Sequence, residues 1–368
     1  MQKKAEDQHI CNPEFKRILI VRFFPLGDIA MTIPVIYSVC RANPDTEFCL
    51  ITRRIASSLF INAPSNFSVI PVNLEEYKGF FGLHRLYREL KEKINPDAVS
   101  DLQGNTHSRV LSLFFRMDGI KIATIDHGEK GKKALTRPNN KRLFPLISSR
   151  ARYREVFHRT GLNFKYEFKS LYGDNAADPT LFTDITQKKR PAETWIAIAP
   201  FAKHRGKILP YEKMAKVVDE LAARPSYKLF LFGEGIEEST VLRPWTDKYA
   251  NVTSLAEKRE GFPKELALMS HCDAMISMDS ANMQLASLVN LPVISIWGIT
   301  HPYCGCMGFG QKEENAVQLN LTCRPCSVTG EKTCRSKDYF CITGITPEMI
   351  INALDNELKK IKQTDNYG

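Results

Sequence analysis

No apolar run in this chain approaches the ~20 residues that a helix needs to cross a bilayer, so no segment reads as a membrane span. The opening stretch, MQKKAEDQHICNPEFKR, is polar and lacks the apolar core of a secretory signal. The chain is therefore expected to stay in the cytoplasm. Neither glycine turn near residue 27 or 233 continues as G-x-G-x-x-G, since Gly233-Glu234-Gly235 runs on into Ile236-Glu237-Glu238. That argues against a nicotinamide dehydrogenase. No nucleic-acid recognition motif and no series of stacking aromatics accompanies the basic residues, so nucleic acid is not an expected partner. A second C-x-x-C pair is missing, and no histidine follows His301. Cys323, Cys326, Cys334 and Cys341 thus read first as loop thiols that a cytosol keeps reduced, with a metal site or a disulfide pair as the weaker alternatives.

At 368 residues the chain is too long for one ordinary α/β core, which implies two domains. Its 43% hydrophobic and 25% charged content is that of a water-soluble globular protein. A formal net charge of +10 calls for anionic partners, and on charge alone phosphorylated substrates, acidic membrane surfaces and nucleic acid are all candidates.

Strand patterns alternate with helix patterns, which implies βαβ units and parallel sheets. Arg17–Arg22 is a buried-strand pattern ended by Pro25-Leu26-Gly27-Asp28, with a helix from Ile29 to about Arg41. Further strands read at 47–51, 69–72 and 96–102. Between the last two lies an amphipathic helix with Leu83, Leu86, Leu90 and Ile94 on one face. Residues 126–154, basic and broken by Gly, Pro and Asn, read as a long surface loop. Residues 173–194 are polar and contain proline, and a domain boundary is expected there. The pattern then restarts with strands at 195–200 and 228–232 and ends in a helix from Pro347 to about Lys362.

The densest signal is CDAMISMDSANMQLASLVNLPVISIWGIT at 272–300, a strand–turn–helix–strand–turn unit. In open α/β sheets ligands sit beyond the carboxyl ends of the strands, where Asp279, Ser280 and Thr300 would stand. Backbone N–H groups at the start of the helix favour phosphate in the same place. Small residues at Gly233, Ala281 and Gly298 let backbone approach a ligand, and Lys207, ahead of a helix, offers a cation for a diphosphate or serves as an ordinary surface lysine. In the first half, Asp28 after the Gly27 turn reads either as a helix cap or as a carboxylate able to take a proton from a hydroxyl. Gln103 and Asn105 stand at another strand end, as ligand contacts or as turn formers, with Arg109 following on a helix.

Three ordered segments resemble the heptosyltransferases of glycosyltransferase family 9. They are Ile18–Pro34 with Gly27-Asp28, the Lys207-Ile208-Leu209-Pro210 run, and the 272–300 unit; the Asp101–Gly104 turn and the late cysteines recur with them. The chain departs from the family pattern on the donor side. Ser280-Ala281 stands for Thr-Gly, Gln284 for His, Leu209 for Trp, and Ile299 for Pro.

The resemblance implies an α/β chain of the GT-B type, two Rossmann-like domains with parallel sheets facing a central cleft. Residues 1–178 would hold the acceptor and residues 179–346 the nucleotide sugar. The helix and tail of 347–368 would pack back on the first domain. It implies inverting transfer of a heptose, or a related sugar, from ADP-heptose to a lipopolysaccharide core acceptor, with no cofactor beyond the nucleotide-sugar substrate. Asp28 matches the general base. Lys207, Gly233, Asp279, Ser280, Ala281, Gly298 and Thr300 match donor contacts. Acceptor contacts are expected from Gly27, Gln103, Asn105, Arg109, Lys132, Lys133 and Arg137. The anionic glycolipid acceptor and the inner face of the inner membrane would both meet the basic residues. A monomer is expected, and the rival reading is a nucleotide-sugar binder of altered specificity or without turnover.

Overall fold

A computed structural model describes residues 15–257 and 261–365. Most of the polar N-terminal stretch, up to residue 14, and the last three residues of the tail lie outside the described residues. The chain divides into two compact units. The first comprises residues to Phe24, Thr32–His127 and Arg150–Phe168; the second comprises Pro25–Met31, Gly128–Ser149 and the chain from Lys169 onward. The division is therefore not the single break near residue 178 that composition suggests. The turn bearing Asp28 and most of the basic stretch belong with the second unit.

The first unit is built on a parallel five-stranded sheet of order β3-β2-β1-β4-β5. Its strands are β1 (Arg17–Val21), β2 (Glu47–Arg53), β3 (Phe67–Val72), β4 (Ala98–Asp101) and β5 (Lys121–Thr124). Leu19, Val21, Ile51 and Val99 present one apolar face, which the helices Gly79–Lys93 and Thr106–Met117 cover with Leu83, Leu86, Leu90, Leu111 and Phe115. The expected stripe of Leu83, Leu86, Leu90 and Ile94 is buried throughout. The helix expected over 29–41 is instead two, Leu26–Ala30 and Ile33–Ala42. Pro34 explains the restart: it lacks an N–H and is tolerated only in a first turn.

The second unit carries a parallel six-stranded sheet of order β11-β10-β9-β6-β7-β8. The strands are β6 (Thr194–Ala199), β7 (Tyr227–Leu231), β8 (Val252–Ser254), β9 (Ala274–Met278), β10 (Val293–Trp297) and β11 (Ala316–Gln318). Every residue of β6, β9 and β10 is buried, as a parallel sheet covered on both faces requires. Ile198, Leu231, Ile276 and Ile296 pack against Val217 and Leu221 of the helix Tyr211–Ala222, and against Ile350, Ile351, Leu354 and Leu358 of the helix Pro347–Asp365. The final helix therefore belongs to the second core, not to the first domain as the sequence reading has it, because its apolar stripe completes this sheet's cover.

The basic stretch is not one loop: it contains the helices Glu129–Thr136 and Ser149–Thr160. The polar 173–194 stretch is anchored by Phe182, fully buried against Trp195 and His271. Among the described residues no helix is long and apolar enough to cross a membrane. Replacing Leu354 with Ala is expected to cost about 2–5 kcal/mol and to lower the thermal midpoint by several degrees. Phe81→Ala, at an exposed position, should change stability by less than ~0.5 kcal/mol. Equal midpoints for the two variants would contradict the packing of the final helix.

Candidate active site

In the second sheet the chain runs outward from β6 through β7 to β8, then returns to the other side of β6 for β9, β10 and β11. The strand order thus reverses between β6 and β9, the place where open α/β sheets hold ligands beyond their carboxyl ends. The segment after β6 carries Lys207, and the residue after β9 is Asp279. Lys207 Nζ lies 3.0 Å from Asp279 Oδ2, and Thr300 Oγ1, beyond the end of β10, donates to the same oxygen at 2.7 Å. Asp279 and Thr300 are buried, and the Lys207 side chain is nearly so. The lysine stem runs against Gly330, where an added Cβ would meet Lys207 Cδ at 2.5 Å. The Lys207 charge is therefore already balanced by a carboxylate, a relation that sequence spacing does not reveal.

The other expected donor residues sort by what they touch. Ser280 precedes the helix Ala281–Leu288 without capping it by its side chain, and its hydroxyl lies 3.4 Å from that of Ser277. Gly298 is needed for backbone packing, since a Cβ there would collide with the Gly206 carbonyl oxygen. Gly233 is crowded by Phe201 and Ala256. In these two positions the missing Cβ leaves room for neighbouring protein groups.

The helix Leu26–Ala30, bearing half-buried Asp28, packs on Ala281–Leu288 within the second unit. A Cβ on Gly27 would collide with Gln284 Oε1 and sit 3.2 Å from the Ala281 Cα. Gln284 Nε2 donates to the Cys306 carbonyl at 3.0 Å, and Ser287 Oγ lies 3.9 Å from Met31 Sδ. Burial drives the Cys306 thiol well above its usual range, and the charges of Asp279, Lys207 and Asp28 all reach it. One thiol therefore senses both Asp28 and the Lys207–Asp279 pair. Sequence reading singles out Gln284 only as a departure from the family pattern; its contact with the Gly27 turn is a feature of the fold.

In the first unit the expected acceptor residues have structural work. Gln103 Oε1 accepts the N–H groups of Phe23 at 2.9 Å and Phe24 at 3.1 Å, tying the exits of β1 and β4 together. Asn105 caps Thr106–Met117 in a capping box with Ser108. Buried Asp101 accepts from Gln103 N, Gly104 N and Ser108 Oγ. Arg109 is exposed. In the second unit Lys132 pairs with Glu129 at 3.0 Å, Lys133 is exposed, and Arg137 Nε donates to the Asn140 carbonyl at 2.5 Å. Within a single unit the structure does not gather the seven expected acceptor residues into one cluster.

The late cysteines do not form the metal-ligand set that their spacing allows. Among the described residues no group of three or more His, Cys, Asp or Glu side chains is arranged to hold a metal ion. Nor do they form disulfides: Cys323, Cys326, Cys334 and Cys341 are free thiols. The Cys326 thiol turns back to the Cys323 carbonyl at 3.1 Å, and the Cys334 thiol faces Ser336 at 3.2 Å. Burial raises Cys334, but the Ser336 hydroxyl and the N–H groups of Tyr339, Ser336 and Lys337 outweigh it, so this thiol titrates below its ordinary value. Burial pushes Cys341 up to about 11 and Cys304 to about 12. Brief alkylation near neutral pH should therefore label Cys334 and exposed Cys323 ahead of Cys304 and Cys306, as read by peptide mapping. Faster labelling of Cys306 would contradict the raised thiol that its surroundings impose.

Beside the same turn, burial and then the charges of Arg324 and Lys141 hold the His301 imidazole down to about 4. Its Nδ1 accepts the Tyr303 N–H at 3.0 Å, as a neutral ring can. Because the folded value lies below the unfolded one, near 6.5, the unfolded chain binds the extra proton first. The stabilisation is complete above about pH 6.5 and is lost as pH falls toward about 4. His301→Gln should therefore show a smaller loss of thermal midpoint than the parent between about pH 7 and about pH 5; equal losses would remove this contribution.

The family model for glycosyltransferase family 9 (heptosyltransferase) matches residues 83–339. Over 339 residues the chain is 23% identical to lipooligosaccharide heptosyltransferase 2 of Campylobacter jejuni subsp. jejuni serotype O:2, covering 91% of this chain and 96% of the relative. Two solved structures share its fold. The glycosyl transferase family 9 protein from Veillonella parvula DSM 2008 has a TM-score of 0.70 at 17% identity, covering 94% of this chain and 98% of the other. E. coli ADP-heptose lps heptosyltransferase II has a TM-score of 0.66 at 16% identity, covering 94% and 99%. Two Rossmann-like parallel sheets, the ordered turns at the carboxyl ends of β6, β9 and β10, and a family match over most of the chain lead to one conclusion: this protein is a glycosyltransferase and belongs to glycosyltransferase family 9.

Proposed function

We propose that the chain transfers heptose from ADP-heptose to a lipopolysaccharide-core or lipooligosaccharide acceptor with inversion at the anomeric carbon, Asp28 serving as the general base. The observation that carries this reading lies inside the second unit. The Asp28 helix packs on Ala281–Leu288, the helix that starts beside Asp279, so the carboxylate and the Lys207–Asp279–Thr300 cluster belong to one neighbourhood. The Campylobacter relative is named for heptosyl transfer to lipooligosaccharide and the E. coli protein for ADP-heptose, which supports the choice of donor and acceptor.

In this scheme the Asp28 carboxylate takes the proton of the acceptor hydroxyl as its oxygen bonds to the anomeric carbon. The bond from that carbon to the diphosphate oxygen breaks, and the electron pair leaves with ADP. Attack from the face opposite the diphosphate inverts the configuration. Lys207, after β6, and N–H donors at the carboxyl ends of β9 and β10 stabilise the charge that builds on the leaving diphosphate. The scheme uses no cofactor; the nucleotide sugar is a substrate. The exposed cations Arg109, Lys133 and Arg137, with Lys132, are assigned to the anionic glycolipid acceptor and to the cytoplasmic face of the inner membrane, where each basic group near an anionic surface contributes ~1 kcal/mol.

Asp28→Asn should lower kcat by ~10²–10⁴-fold, the usual worth of a general base, while ADP affinity stays within about threefold. Turnover close to that of the parent would refute the role of Asp28. ADP binding by the parent without transfer to any core acceptor would identify a non-catalytic binder instead.

A further inference from the structure

Arg324 lies among the late cysteines, where nothing in its sequence context marks it. It is buried, and every partner of its guanidinium is a carbonyl. Nε donates to Gly298 O at 2.5 Å, Nη1 to Leu319 O at 2.5 Å, and Nη2 to Trp297 O at 3.1 Å and Thr300 O at 2.8 Å. No carboxylate pairs with it among the described residues. Lys207, by contrast, is matched one-to-one by Asp279. Around the β10 turn, then, Lys207 is matched by a carboxylate while Arg324, like Lys141 beyond it, is held by carbonyls alone, and an arginine keeps its charge at any working pH.

The bonds also dictate where the turn's N–H groups aim. In a trans peptide the C=O of one residue and the N–H of the next point in opposite directions. With Gly298 O drawn onto Arg324, the Ile299 N–H faces the other way and donates to Gly206 O at 2.9 Å, next to Lys207. With Thr300 O drawn onto the same guanidinium, the His301 N–H is turned away from it. Among the described residues the Thr300 N–H has no acceptor, while the His301 N–H is taken by the Cys304 thiol. One open donor, the Thr300 N–H, thus stands beside the buried Lys207–Asp279 pair, a place suited to a phosphate oxygen.

We propose that Arg324 is a positioning residue for the donor diphosphate. Its planar fork sets the 297–301 turn and, through Gly206, the place of Lys207, while its unmatched charge makes the turn attractive to an anion. This rests on the donor reading above. Lysine cannot reproduce a planar fork that reaches four carbonyls, but it keeps the charge.

The test compares Arg324→Lys, Arg324→Met and, as a control, Arg335→Met, which removes an exposed cation of the same segment. ADP is the calorimetric probe, alongside KM for donor and acceptor. Arg324→Lys is expected to raise the ADP Kd and the donor KM about tenfold, with the acceptor KM unchanged and the salt dependence of ADP binding kept. Arg324→Met should bind more weakly still, with a flatter salt dependence because the charge is gone. Arg335→Met should match the parent. If Arg324→Met does not fold, Arg324→Lys decides. A folded Arg324→Lys that binds ADP like the parent overturns the inference alone. An equal rise in acceptor KM shows general loss of structure and also overturns it. A parent chain that binds no ADP overturns the donor reading and this inference with it.

Discussion

The gap between β6 and β9, where the order of the second sheet reverses, is the constraint on which the site depends. Parallel strands leave all their carboxyl ends on one edge, and at a reversal the connecting helices leave to opposite faces, so no helix covers that edge. Lys207 and Asp279 meet across it, and Thr300 from the next strand joins them on the same carboxylate oxygen. The sheet's register therefore sets the site's geometry: Ile198 pairs with Ile276 and Ala199 with Ser277, and Ile296 pairs with Met278. Slipping β9 by one residue would turn Asp279 to the opposite face of the sheet.

A buried ion pair is poor evidence of stability, because desolvating both groups offsets most of their attraction. Its value here is geometric. Removing Asp279 would leave a desolvated ammonium without a partner, and removing Lys207 would leave a desolvated carboxylate with one hydroxyl. The pair thus holds polar groups in fixed places rather than adding stability. Arg324 satisfies the same requirement differently. Its charge is balanced only by carbonyl dipoles, so the field it creates at the turn is not cancelled locally, and it adds to the burial that holds the His301 imidazole down.

How far residues alone disclose this arrangement depends on the range of the interaction. Strands buried on both faces appear as unbroken apolar runs, which is why β1, β6, β9 and β10 and the turns that end them are legible. β5, β8 and β11 are three or four residues long and mix in polar side chains, so no period develops. The helix Glu129–Thr136 is hidden by Gly131 and by a run of cations, though Glu, Lys, Ala and Leu all favour helix. At the site, Asp279, Lys207 and Thr300 are each legible as strand-end residues, but their union on one oxygen is not, since partners far apart in sequence leave no spacing. Gln103 and Asn105 carry amides that suit a ligand or a turn equally, and the backbone of β1 and the helix at Thr106 claim them first.

The departures from the family pattern gain meaning from where they lie. Ala281 and Gln284 are on the helix that packs on the Asp28 helix, and a Cβ added at Gly27 would meet the Gln284 amide oxygen and the Ala281 Cα. A family histidine at 284 would bring a ring that can carry charge; the glutamine brings a neutral amide whose nitrogen is fixed by the Cys306 carbonyl and whose oxygen abuts Gly27. The change at 284 therefore bears on the packing under residues 26–30. Lys207, Asp279 and the hydroxyl of Thr300, which do not depart from the pattern, hold the switch point itself. Substitution has thus reached the neighbours of these groups, at Leu209, Ser280 and Ile299, and the helix packed on the Asp28 turn, at Ala281 and Gln284, while Lys207, Asp279 and Thr300 themselves keep to the pattern.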